Sequence, residues 1–175
     1  QVAAEEVIPE AAEQNAERVA AAPKESMQVT VAIETKTVPS LRFFYQQYEK
    51  AFEQLATDAR SLATAMGVSL VQGGGSIDGP LQIIARGEGP DGQLQLGFPV
   101  RGSPRAAGKY KLRVTASFKC AYIVHAAKAG SLAELWTGLL RDVEAAGHEL
   151  TDERRIVMQA GGGDAALLEL QVGIK

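Results

Sequence analysis

The sequence predicts an α+β fold: two duplicated ββαββ-type halves joined into one antiparallel sheet, both helices on one face, a pseudo-twofold axis and a groove between the halves. Three observations predict it. Residues 41–67 align on 121–147 at an offset of 80, and the segment after about residue 80 aligns on its later counterpart at an offset of 74. Within each copy the periodicity changes in the same order, from alternation to helical spacing and back to alternation. The composition, 46% hydrophobic and 22% charged over 175 residues, is that of a folded domain, and no apolar run is long enough to span a bilayer.

Residues 1–27 stand apart by composition. Glu5, Glu6, Glu10, Glu13, Glu17 and Glu25 face only Arg18 and Lys24, so this segment is strongly acidic within a chain of net charge −3. Rich in Ala and interrupted by Pro9 and Pro23, it reads as a helix over about 10–22 after an extended lead. Its expected role is a spacer, a strap against a partner, or a tether from a membrane upstream. Residue 1 is Gln rather than Met, which reads as a processed start and leans the expected location toward the cell envelope or periplasm rather than the cytoplasm. The domain proper is expected over 28–175, with repeat 1 at about 28–101 and repeat 2 at about 108–175.

Val29, Val31 and Ile33 alternate with Thr30, Ala32 and Glu34 as in a half-buried strand, and Leu112 and Val114 do the same in the second copy. A second strand follows, Leu41-Arg42-Phe43-Phe44-Tyr45, aligned on Ala121-Tyr122-Ile123-Val124-His125. Helices are expected over about 48–66 and 131–146. Phe52, Leu55, Ala59 and Leu62 lie at near-helical spacing, as do Leu132, Leu135, Leu139 and Val143, and Gly67 and Gly147 act as stops. The extra residues of the first copy fall in the glycine-rich stretch Gly73 to Asp78. Hairpins then pair about 80–86 with 93–100 and 154–160 with 166–174, through connections rich in Gly, Asp and Pro. Between the copies, Arg101, Arg105, Lys109, Lys111, Arg113 and Lys119 occur without an acid. This basic stretch reads as a linker and an edge strand protected from aggregation, with an acidic protein surface as the other reading.

Several chemistries drop out. One Cys makes no internal disulfide, and two His offer little for a metal cage, so no metal and no cofactor is expected. Cys120 reads as a small buried residue. His125 reads as a polar strand end rather than a haem ligand or proton shuttle, and His148 as a surface residue after a helix. The triplets Gly73-Gly74-Gly75 and Gly161-Gly162-Gly163 lack the Gly-Lys-Ser/Thr ending of a phosphate-binding loop and read as turns. A pI near 5.5 argues against nucleic acid as the main partner.

The closing strands Gln95-Leu96-Gly97-Phe98-Pro99-Val100 and Glu169-Leu170-Gln171-Val172-Gly173-Ile174-Lys175 are similar to the Glu-Leu-x-Ile-Pro-Ile-type ending of the GyrI-like effector-binding domains. That family includes the ligand-sensing domains of bacterial multidrug-responsive transcription activators. Ala121-Tyr122-Ile123-Val124-His125 resembles its strand before the helix, and the duplicated layout matches over about 28–175. Two departures stand out. The family's Gly-Pro-Tyr type turn is replaced by Gln46-Gln47-Tyr48 and by Ala126-Ala127-Lys128, and the acidic tail is not a helix-turn-helix module.

The resemblance implies a stand-alone domain that binds lipophilic, cationic small molecules, for sensing or sequestration. The gyrase-inhibitor branch implies an alternative, a protein-interaction module. Another branch implies hydrolysis of reactive electrophiles, with Glu169 as general base. Alternation puts Leu168, Leu170, Val172 and Ile174 toward the helices and Glu169 on the opposite, groove-facing side. The resemblance places the ligand-attracting carboxylate there, whereas the first copy has Gln95, so the pocket is expected to be asymmetric. Trp136, Tyr122, Phe44 and Tyr48 are the aromatic candidates for its walls; each also reads as a packing residue.

Overall fold

The computed structural model describes residues 33–87, 93–126, 131–159 and 167–175. The acidic segment, the expected strand positions at Val29 and Val31, and the Gly161-Gly162-Gly163 turn lie outside them. Residues Ala32–Lys175 make up one compact unit.

The chain runs β1 (Glu34–Val38), β2 (Arg42–Tyr48), α1 (Phe52–Gln72), β3 (Ser76–Ile77), β4 (Leu81–Arg86), β5 (Gln93–Arg101), β6 (Tyr110–Val114), β7 (Phe118–Ala126), α2 (Leu132–Ala145), β8 (Leu150–Gln159) and β9 (Leu167–Ile174). The strands form one antiparallel sheet in the order β1-β7-β9-β8-β4-β5-β2-β6, with the short β3 pairing β5. The fold is α+β with both helices on one face of the sheet, as the periodicity predicts.

The halves meet at β4 and β8, where Ile83 pairs with Ile156. Their first strands are exchanged. β1, from the first half, pairs with β7 of the second, with Lys36 opposite Cys120, while β6 of the second half pairs with β2 of the first, with Arg113 opposite Phe43. Among the described residues the exchanged strands are therefore the two sheet edges, and their cationic side chains discourage edge-to-edge pairing.

Apolar side chains of α1 (Leu55, Ala59, Met66, Leu70) and α2 (Trp136, Leu139, Val143) close over one core with Phe44, Ile83, Leu96, Ile156, Leu170 and Val172 from the sheet. Each Å2 of apolar area that this shared core removes from water stabilises the fold by about 25 cal/mol. Ser131 caps α2 by accepting a hydrogen bond from the Glu134 amide at 3.2 Å, and Gly147 ends it at φ 84°.

The first helix differs from its expected span. Tyr48 remains in β2, opposite Leu94, so α1 starts later, at Phe52. It continues through Gly67 to Gln72, because buried Met66 and Leu70 extend the apolar stripe and nothing lies within 4 Å of a Cβ at Gly67. Local stop chemistry loses to continued burial.

Candidate functional site

Two places combine aromatic surface with charge. The first is on the helix-bearing face at the seam, where the N-terminal ends of α1 and α2 stand over β4, β5 and β8. A cavity of about 770 Å3 opens there. Phe52 and Trp136 meet edge to face, with ring centroids 5.7 Å apart, and Leu94, Ala85 and Leu140 complete the apolar lining. Acids Glu49, Glu53 and Asp152 and bases Lys50, Arg86 and Arg154 surround it. The amphipathic repeat of each helix puts Phe52 and Trp136 toward the sheet, and pseudo-symmetry brings the two helix starts to the same seam. Ala56, the aligned counterpart of Trp136, is small, so the walls are unequal.

The second place is on the opposite face, which no described helix covers. Successive rows of this face correspond between the halves. Lys36, Cys120 and Gly173 lie side by side on β1, β7 and β9, just as Arg113, Phe43 and Pro99 do on β6, β2 and β5. Two residues along the strands come Tyr122 and Tyr45, and beyond them Glu169 and Gln95.

The chemistry at the two stations is parallel. Lys36 Nζ donates to Glu169 Oε1 and lies 4.3 Å from the centroid of the Tyr122 ring. Arg113 donates to Gln95 Oε1 from Nε at 2.9 Å and from Nη2 at 2.7 Å, with its guanidinium 5.5 Å from the Tyr45 ring. Each station thus holds a cation from an exchanged edge strand between a tyrosine face and an acceptor on a closing strand. Only one acceptor carries a charge. Glu169 is buried and also accepts from Gln159 Nε2 at 2.9 Å and Gln171 Nε2 at 2.8 Å.

Hydrogen bonding, neighbouring charge and burial each shape the ionisation around these groups. Hydrogen bonding to Glu34, reinforced by that carboxylate's charge, pushes the Tyr122 hydroxyl up. Burial followed by repulsion from Arg86 lowers the affinity of Arg113 for its proton. Burial acts likewise on Arg155, whose guanidinium stacks 4.0 Å from the Phe118 ring centroid and donates to Glu153 Oε1 from Nη2 at 3.1 Å. Its Nε and Nη1 have no hydrogen-bond partner among the described residues.

The five residues singled out from the sequence divide between the faces. Trp136 lines the seam cavity. Tyr48 adjoins it, opposite Leu94, and its hydroxyl donates to Gln46 Oε1 at 2.7 Å; burial holds that hydroxyl above its ordinary range. Phe44 is fully buried in the core beneath the helices and stacks on Tyr110 at 5.5 Å. Glu169 and Tyr122 stand on the other face, either side of Lys36. Sequence reasoning passed over Lys36 and Gln159, and read Phe52 only as part of a helix's apolar face. The available signal was a cation on each first strand, Lys36 and Arg113, but its meaning depends on the strand exchange. Among the described residues no three His, Cys, Asp or Glu side chains gather to hold a metal ion, and no helix is long and apolar enough to cross a membrane.

No protein-family model matches this chain, and no curated protein sequence does. Solved structures do match its fold. The C-terminal domain of EcmrR superposes with a TM-score of 0.69 at 15% identity, covering 82% of this chain and 97% of that one. EcmrR in its complex with DNA gives 0.68 at 12% identity, covering 93% of this chain; the match spans 65% of the longer EcmrR chain. SAV2435 bound to tetraphenylphosphonium gives 0.60 at 12% identity, covering 83% and 94%. The protein has the fold of a GyrI-like domain.

Proposed function

We propose that this chain is a small-molecule-binding domain for lipophilic cations. The seam cavity carries the reading. Its volume falls within the roughly 300–1,000 Å3 usual for small-molecule sites, and its lining joins an apolar, aromatic patch to three acids and three bases. The Phe52 and Trp136 rings offer faces to a cation, and Glu49, Glu53 and Asp152 stand among the bases Lys50, Arg86 and Arg154, so the aromatic faces rather than net charge carry the preference for a cation. Glu169 with Tyr122 is a second cation station on the other face. Binding of tetraphenylphosphonium by SAV2435, which shares the fold, adds support.

Titration with tetraphenylphosphonium tests the reading and says which face is used. Saturable binding by the wild type is expected, weakened about tenfold or more by Trp136→Ala if the seam cavity holds the ligand, since losing a stacked aromatic contact costs on the order of 1.4 kcal/mol. Glu169→Gln is the corresponding variant for the opposite face. A wild type that binds neither this cation nor any other lipophilic amine or dye overturns the proposal.

A protein-interaction module has its own supporting observation. Val68, Val71 and Ile77 are exposed large hydrophobic residues beside a shallow groove that also includes Ala63, Gly67 and Phe98. Native mass spectrometry separates the readings: a retained small molecule favours the first, a stable protein partner the second.

A further inference from the structure

Lys36 caps Glu169. The Lys36 side chain is 37% exposed and the Glu169 side chain 6%, so from solvent the ammonium is reached before the carboxylate. The ammonium already has what a cationic ligand would seek there, a carboxylate oxygen on one side and the Tyr122 ring on the other. It arrives on β1, which among the described residues is an edge strand bonded along one side only, so its flexible stem can turn into water without disturbing a strand ladder. At the pseudo-equivalent station Arg113 is held by two hydrogen bonds to neutral Gln95, so the tyrosine-and-cation arrangement occurs twice but carries a negative acceptor once.

We propose that Lys36 is a tethered competitor at the Glu169–Tyr122 station: an external lipophilic cation binds there only as the Lys36 ammonium withdraws. The idea rests on the reading of Glu169 as a cation station. A tethered group acts at a high effective concentration and lowers the apparent affinity of a free ligand by the fraction of time it occupies the site. The internal cation would thereby select against simple amines, which replace like with like, and in favour of cations whose apolar groups add contacts that Lys36 cannot make.

The test is a double-mutant cycle on the full chain, with tetraphenylphosphonium as the probe and thermal melts to establish folding. Lys36→Met should bind the probe about tenfold more tightly than wild type, corresponding to roughly 90% occupancy by Lys36. Lys36→Arg, which keeps the charge, should stay within about threefold of wild type, a difference under 1 kcal/mol. In a Glu169→Gln background the Lys36→Met gain should disappear, because there is no carboxylate left to unmask. Lys36→Gln serves if Lys36→Met does not fold. Binding by Lys36→Met where the wild type shows none also supports the proposal.

If Glu169→Gln weakens binding while Lys36→Met leaves it unchanged, the competitor is overturned and the cation station stands. If both variants bind like wild type and only Trp136→Ala loses affinity, the station is unused and the proposal falls while the seam cavity stands. If neither the wild type nor Lys36→Met binds the probe, competition at this station is overturned as well.

Discussion

Cys120 shows how one residue records its surroundings. It has no exposed surface and lies on the face that no described helix covers, opposite Lys36 on one side and Gly173 on the other. Burial pushes its thiol up to about 11, with Glu169 adding to the rise and Lys36 and Arg155 opposing it. An unfolded thiol ionises near pH 9, so the folded state holds its proton more tightly. The resulting stabilisation is present below about pH 9 and is lost as pH rises toward about 11, amounting to on the order of 2 kcal/mol. Urea unfolding from pH 8 to 11 should therefore show a steeper loss of stability for the wild type than for Cys120→Ala. Parallel curves would contradict it. The apolar run around Cys120 foretold a buried thiol, whereas its charged neighbours come from three strands that no local pattern links.

At the scale of the element, β5 illustrates how a strand can require a missing side chain. Gly97 lies opposite Tyr45 in β2 and Gln82 in β4. A Cβ there would collide with the Phe44 carbonyl oxygen and approach Tyr45 Cβ to 2.8 Å, and backbone in a central ladder has little room to move. Gly97→Ala should cost about 3 kcal/mol through overpacking, read as a lower urea midpoint with an unchanged slope. A loss below about 1 kcal/mol would mean that the strands spread without penalty. The elements themselves were largely legible. The Phe52–Leu55–Ala59 spacing marks one helix, and the Leu132–Leu135–Leu139–Val143 spacing marks the other. Gly67 misleads as a stop, because a glycine signal is worth about 1 kcal/mol and the burial of Leu70 one turn further on outweighs it.

At the scale of the whole molecule, the exchanged edge strands tie the halves together. The first half lacks β6 beside β2, and the second lacks β1 beside β7; each also needs the other's strand at the β4–β8 seam. Fragments 1–106 and 107–175, separated in the exposed connection before β6, should each fail to give a dispersed NMR spectrum alone. They should recover the native spectrum when mixed, since each leaves open strand edges and part of the common core exposed. A native-like spectrum from either fragment alone would show that the exchange is dispensable.

The sequence by itself determined the duplication, the succession of the longer strands and the two helices though not the short β3, and the α+β class, because alternation, helical spacing and turn chemistry act over a few residues and reveal which face each element must bury. It also marked Glu169 as a charge facing away from the helices. Only the tertiary structure decided that Lys36 meets that charge, that Trp136 belongs to a cavity on the other side of the sheet, and that β1 joins the opposite half. A burial pattern specifies which side of a strand faces the core, while the backbone hydrogen bonds that choose its neighbour are nearly the same for every residue type. Partnership between strands is therefore settled by the packing of the complete molecule.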